Sequence, residues 1–172
     1  YYIANSHNVA MRIRKYYRRD AAVIHPPVDT SRYTPAPQSQ VADYLLVVSR
    51  LVGYKRVDLA VQACSRLGIP LKVVGSGPDE KSLRKLAGPT VEFLGHISDN
   101  EVAARYAACR ALIFPGEEDF GLTPIEAMAS GRQIVAFGAG GARDTVIDGR
   151  TGIFFGEQTG DSLADALVRL KD

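Results

Sequence analysis

The stretch YLLVVSRLVGYKRVDLAVQACSRLGIPLKVVGSGPDE, residues 44–80, decides the fold. It opens with an apolar run, 44–48, rich in Leu and Val and without polar alternation, the pattern of a strand covered on both faces. Val57, Ala60, Val61 and Cys64 then fall at i, i+3, i+4 and i+7. That spacing makes one face of an amphipathic helix, which Gly68 and Pro70 end. A second apolar run, LKVV (71–74), follows. Strand, helix and strand in this order predict a right-handed crossover between parallel neighbours.

Outward from this unit the alternation continues. AAVI (21–24) precedes it, and VEFL (91–94), ALIF (111–114), QIVAF (133–137) and GIFF (152–155) follow as further strands. Val102, Tyr106 and Cys109 repeat the helical spacing after a capping box of Ser98 and Glu101. The chain therefore reads as α/β, a Rossmann-like doubly wound parallel sheet with helices on both faces. Ligands of such sheets bind beyond the carboxyl ends of the strands. That rule selects SRLVGYKR, GSGPDE, GHISD, PGEEDFGLT and GAGGAR, and sets Arg50, Lys55 and Arg56 across a crevice from Glu118. HPPVDTSRYTPAPQSQ (25–40), rich in proline and polar residues, reads as a connection or surface crossing.

Composition narrows the function. At 172 residues and 46% hydrophobic, the chain can bury one core. With 21 Lys and Arg against 19 Asp and Glu, there is no broad basic face for nucleic acid. Cys64 and Cys109 sit at apolar positions and read as buried thiols. His7, His25 and His96 are scattered along the sequence without metal-ligand spacing, so no metal is expected. No segment reaches the ~20 apolar residues of a membrane span. The chain opens YYIANS and stops at ALVRLKD within a helical pattern, so it reads as part of a longer protein.

The glycine loops do not carry a dinucleotide fingerprint. GSGPDE has Glu80, and GAGGAR has Arg143, where the third glycine belongs, and no Gly-Lys-Ser/Thr triplet makes a P-loop. GSGPDE admits two readings. It is a plain strand-to-helix turn, or Gly75 and Gly77 let free backbone N–H groups approach a phosphate. Arg50 and Lys55 are likewise solvated charges, or cations for a diphosphate leaving group that no metal neutralises. In EEDFGLTPIEAMASG (117–131), Thr123 and Glu126 fit a capping box with Pro124 at the first helical position. That leaves Glu117, Glu118 and Asp119, crowded after a strand, unexplained.

HPPVD, VVSRLVGYKRVDLAV, VVGSGPDE, VEFLGHISD and EEDFGLTPIEAMASG stand in an order and spacing that resembles the retaining glycosyltransferases of family 4. The likeness runs from IANS to the final helix. It implies the C-terminal, donor-binding half of a two-domain GT-B fold, acting on a nucleotide sugar with retention of anomeric configuration. By this resemblance, Arg50 and Lys55 hold the departing diphosphate and Glu118 accepts hydrogen bonds from the donor sugar. Phe120, Gly121 and Leu122 present backbone N–H groups, Glu126 binds the ribose, and Ile97 meets the base. Gly53 departs from a commoner proline, and Arg132-Gln133 from a commoner Thr-Pro.

The resemblance implies no cofactor. EEDFGLTPIEAMASG is most similar to versions in bacterial mannosyl- and related hexosyltransferases, so GDP-mannose is the first expected donor and a UDP-sugar the second. A glycan or lipid-linked acceptor would meet an N-terminal domain absent from the chain. Residues 1–20 read as a lead-in with a basic helix, and 21–172 as the donor domain. That helix, 8–19, has five basic residues and an apolar stripe of Val9, Ile13 and Tyr16 or Tyr17. It docks on the domain with a solvated basic face, or it lies on the anionic inner face of a membrane, placing the protein in the cytoplasm in either case. Two other functions share the architecture: a sugar-nucleotide epimerase and a non-catalytic nucleotide-sugar-binding module.

Overall fold

Over residues 1–170, which the computed structural model describes, the elements run β1 (Ile3–Ala4), α1 (His7–Tyr17), β2 (Ala22–Val23), β3 (Leu45–Val48), α2 (Val57–Leu67), β4 (Leu71–Val74) and α3 (Glu80–Leu86). They continue with β5 (Val91–Gly95), α4 (Asp99–Ala108), β6 (Ala111–Phe114), α5 (Leu122–Ala129), β7 (Gln133–Phe137), α6 (Ala142–Thr145), β8 (Gly152–Phe155) and α7 (Gly160–Arg169). Six strands form one parallel sheet in the order β5-β4-β3-β6-β7-β8. The order reverses between β3 and β6, which is where a doubly wound sheet opens a crevice.

The apolar runs lack alternation because both faces are covered. Leu45, Val47, Ile113 and Val135 point into a core closed by α2, α3 and α7. Leu46, Leu112, Ile134 and Ala136 point into the opposite one, beneath α4, α5 and α6. Each such aliphatic side chain contributes about 1.5–3 kcal/mol through burial. Helix α2 ends as its sequence indicates: Gly68 takes φ 67° and its N–H donates to the Cys64 carbonyl. The capping box of Ser98 and Glu101 is formed at the start of α4. Both cysteines are free and buried, and burial pushes each thiol up to about 12.

The segment AAVI departs from expectation. Its Ala22 and Val23 pair only with Ile3 and Ala4, in a separate two-stranded parallel sheet. Ala22 and Ile24 are exposed, so the apolar run does not mark a strand of the main sheet. Helix α1 joins these two strands, capped by the Ser6 hydroxyl, which accepts from the Val9 N–H. It buries none of its residues, and Met11, Tyr16 and Tyr17 are exposed. Arg12 Nη1 reaches across to Asp119 Oδ1 at 2.5 Å. Among the described residues no helix is long and apolar enough to cross a membrane.

The crossing at 25–40 is mostly exposed and meets the domain at Ala36 and Tyr33. The guanidinium of Arg132, 8% exposed, donates to the carbonyls of Ser130 at 3.1 Å and Ala36 at 3.4 Å. Three residues before Ala36, Tyr33 packs edge-on to Tyr106 at 5.8 Å.

Candidate functional site

The carboxyl ends of β3, β4, β5 and β6 frame a cavity of about 640 Å³. Arg50 and Lys55 reach it from the loop after β3, Gly75 from the loop after β4, and Ile97 from the loop after β5. Glu118, Leu122 and Glu126 reach it from the segment after β6. Phe120 and Gly121 line an adjoining hollow of about 650 Å³ that shares Tyr54, Glu118 and Leu122 with the first. Gly77 lines neither.

An ion pair sits in the cavity. Lys55 Nζ lies 2.6 Å from Glu118 Oε1, with side chains 17% and 21% exposed. Each charge compensates the other in a site only partly open to water. Arg50 is exposed at the rim and forms no ion pair among the described residues. Glu126 Oε2 accepts from the hydroxyl of fully buried Tyr106 at 2.9 Å. Burial and the neighbouring carboxylate raise the Tyr106 pKa, so this phenol remains a donor. Burial first, and then the charge of Glu126, also raises Tyr33 above the usual phenol range.

The capping box expected at Thr123 and Glu126 is not formed. Gly121, at φ 87°, is the N-cap, and α5 begins at Leu122, so Thr123 and Pro124 already lie inside the first turn. The chain can enter the helix this early because position 121 has no side chain. A Cβ there would stand 2.6 Å from Phe114 Cζ. Pro124 is tolerated because first-turn N–H groups have no intrahelical partner. The consequence is chemical: the N–H end of α5 faces the cavity, and Glu126 projects from its flank to Tyr106 rather than back to the cap.

The two glycine loops act chiefly as close-packing surfaces. A Cβ on Gly75 would lie 1.9 Å from the Ser49 carbonyl oxygen, and one on Gly77 2.2 Å from that of Leu51. The Gly75 N–H is not free for a ligand, because it donates to the Gly95 carbonyl at 2.7 Å. In the GAGGAR loop, a Cβ on Gly141 would meet Phe120 Cα at 2.3 Å, and the Gly141 N–H donates to the Glu118 carbonyl at 2.7 Å. Gly140 and Gly141 thus form the bed on which the 117–121 turn rests.

Sequence reasoning missed Tyr33, Tyr54, His96 and Thr123, which also line the cavity. Tyr54 and Thr123 lie within the loops selected above, and His96 stands beside Ile97, so proximity was their signal. Tyr33 had none, since it meets Tyr106 from a segment distant in sequence. The histidines are not all scattered in space: the His7 and His25 ring centroids are 5.8 Å apart, and His7 bonds to Asp144.

Comparison with known proteins bears on the family and the fold. The chain is 30% identical over 173 residues to a GDP-mannose-dependent alpha-(1-6)-phosphatidylinositol monomannoside mannosyltransferase of Mycobacterium tuberculosis, covering 84% of this chain and 45% of that protein. It is 32% identical to a D-inositol 3-phosphate glycosyltransferase of Mycobacteroides abscessus, covering 98% of this chain and 43% of the relative. The chain thus spans under half the length of these curated relatives. Sucrose-phosphate synthase from Thermosynechococcus elongatus superposes with a TM-score of 0.84 at 25% identity, over 97% of this chain and 48% of that one. The HepE protein of Anabaena, solved with UDP and glucose, gives 0.84 at 24% identity, over 97% and 52%. The α/β architecture is that of one half of a GT-B glycosyltransferase. Residues 42–172 match the family model described as glycosyl transferases group 1, and the chain belongs to that family.

Proposed function

We propose that this chain is the donor-binding half of a retaining glycosyltransferase of family 4, moving a hexose from a nucleotide sugar to a glycan or lipid-linked acceptor. One observation carries the reading. Two cations following β3, Arg50 and Lys55, meet two carboxylates following β6, Glu118 and Glu126, across the point where strand order reverses. A departing nucleoside diphosphate needs positive charge, and sugar and ribose hydroxyls need acceptors. The donor would separate the Lys55–Glu118 pair, its diphosphate taking Lys55 and its sugar hydroxyls taking Glu118. Backbone N–H groups at Phe120, Gly121 and Leu122 would add anion contacts at the start of α5. Ile97 would border the base and Glu126 the ribose, while Gly75 and Gly77 would shape the loop beside the diphosphate.

GDP-mannose is the first donor of this reading, supported by the GDP-mannose-dependent relative. A UDP-sugar is the second, supported by the UDP-bound HepE structure. The acceptor is assigned to a domain other than residues 21–172, with residues 1–20 as the lead-in. The exposed basic residues Arg14, Lys15, Arg18 and Arg19 are where a peripheral contact with the inner face of a membrane would form.

Because Arg50 and Lys55 supply the neutralising charge, the transfer needs no divalent ion at the diphosphate. Full-length enzyme should therefore transfer sugar from GDP-mannose at an undiminished rate in excess EDTA. Loss of transfer that added Mg²⁺ or Mn²⁺ restores would overturn this part of the reading.

A further inference from the structure

We propose that His7, His25 and Asp144 form a site for one transition-metal ion of the Zn²⁺ class, which ties α1 and the segment after β2 to α6. One nitrogen of each imidazole and one Asp144 oxygen all lie within 4.8 Å of one another. His7 Nδ1 and Asp144 Oδ2 are 3.1 Å apart, close to the ~3.3 Å between two ligands that each lie ~2 Å from a tetrahedral centre. None of the three lines the donor cavity, so the site stands whether or not the transferase reading holds.

The surroundings orient these groups as ligands. Asp144 has a side chain only 7% exposed, and its Oδ2 accepts from the His7 backbone N–H at 2.6 Å. His25 Nδ1 lies 3.0 Å from the Asn5 carbonyl oxygen. A carbonyl can only accept, so Nδ1 carries the hydrogen of this bond and the neutral ring keeps its lone pair on Nε2. A ring nitrogen bound to a carbonyl, with the other free, is the usual state of a metal-ligating histidine. The His25 ring also stacks on Phe120, with centroids 5.3 Å apart and planes 18° from parallel. The His7 side chain is 71% exposed and free to adjust.

The donor set selects the ion. Two imidazoles and one carboxylate suit Zn²⁺, Co²⁺ or Ni²⁺, whereas Mg²⁺ and Ca²⁺ take oxygen ligands. Three protein ligands leave a fourth position for water. The bound ion would tie the two-stranded unit at residues 3–23 to the six-stranded domain, beside the turn that carries Phe120.

The full chain should take up one equivalent of Zn²⁺ in competition with a chromophoric chelator, and Co²⁺ in its place should show the visible absorption of tetrahedral coordination. His7→Ala, His25→Ala and Asp144→Asn should each weaken Zn²⁺ binding at least about tenfold. His96→Ala, which changes the remaining histidine, should leave binding unaltered. Zn²⁺ should raise the thermal midpoint of the unmodified chain and of His96→Ala only. Absence of stoichiometric uptake, or uptake that survives in His7→Ala and His25→Ala, would overturn the proposal. Both substitutions fall on exposed side chains, so the outcome does not depend on whether Asp144→Asn folds.

Discussion

Lys55→Ala in the full-length enzyme should lower turnover by about 10²–10³-fold, the scale on which a group facing developing charge acts. Lys55 is a largely buried cation in the cavity, and Arg50, at the exposed rim, cannot replace it at the same position. On the proposed reading, its removal takes away the charge that would meet the diphosphate as the bond to the sugar breaks. It also leaves Glu118 without its 2.6 Å partner. That carboxylate, 21% exposed, keeps only part of its contact with water, so unfolding free energy should also fall, by about 1–3 kcal/mol. Steady-state kinetics and denaturant unfolding on the same variant separate the two effects. Turnover within about threefold of the unmodified enzyme would remove Lys55 from the chemistry.

Gly75→Ala should be among the most damaging single substitutions, costing about 3 kcal/mol or more of stability. The residue adopts φ 119°, where a side chain is strained, and its Cβ would lie 1.9 Å from the Ser49 carbonyl oxygen. Neither backbone can yield cheaply. The Ser49 N–H donates to Val74 at 3.0 Å and the Gly75 N–H to Gly95 at 2.7 Å, so separating the loops breaks the ladder at the carboxyl ends of β3, β4 and β5. Gly156→Ala, with open space around its Cβ position, should be close to neutral. Equal urea midpoints for Gly75→Ala and the unmodified chain would show that the loop is not packed as described.

These two residues also show what a sequence makes legible. Gly75 lies directly after the run 71–74 and Lys55 in the loop that follows the run 44–48, and the rule that ligands gather at strand ends places both at the site. The central strands β3, β6 and β7 were legible because burial on both faces leaves a continuous apolar run, whereas β4 and β5 carry Lys72 and Glu92 and were read from the apolar residues around them. AAVI shows the same local pattern but pairs only with Ile3 and Ala4, and a short run does not reveal its partner. The start of α5 was misread because Thr123, Pro124 and Glu126 satisfy a capping rule locally, whereas Gly121 and the ring of Phe114 set the entry three-dimensionally. Tyr33, and the meeting of His7 and His25 with Asp144, depend on contacts between distant segments that no local spacing encodes.

On the proposed reading, the cavity between β3 and β6 is a nucleotide-sugar site in which Glu126 grips the ribose. Calorimetric titration of this chain with GDP-mannose, and with a UDP-sugar in parallel, tests it most directly when repeated on Glu126→Gln. An amide keeps an oxygen to accept from Tyr106, so folding stability should stay within about 1 kcal/mol of the unmodified chain. A charge-assisted grip on hydroxyls contributes roughly 1.5–3 kcal/mol, so the same change should weaken donor binding about tenfold or more. One equivalent of donor bound by the unmodified chain, with that loss in the variant, is the expected result. Binding of neither nucleotide sugar, or equal affinity in Glu126→Gln, would contradict it.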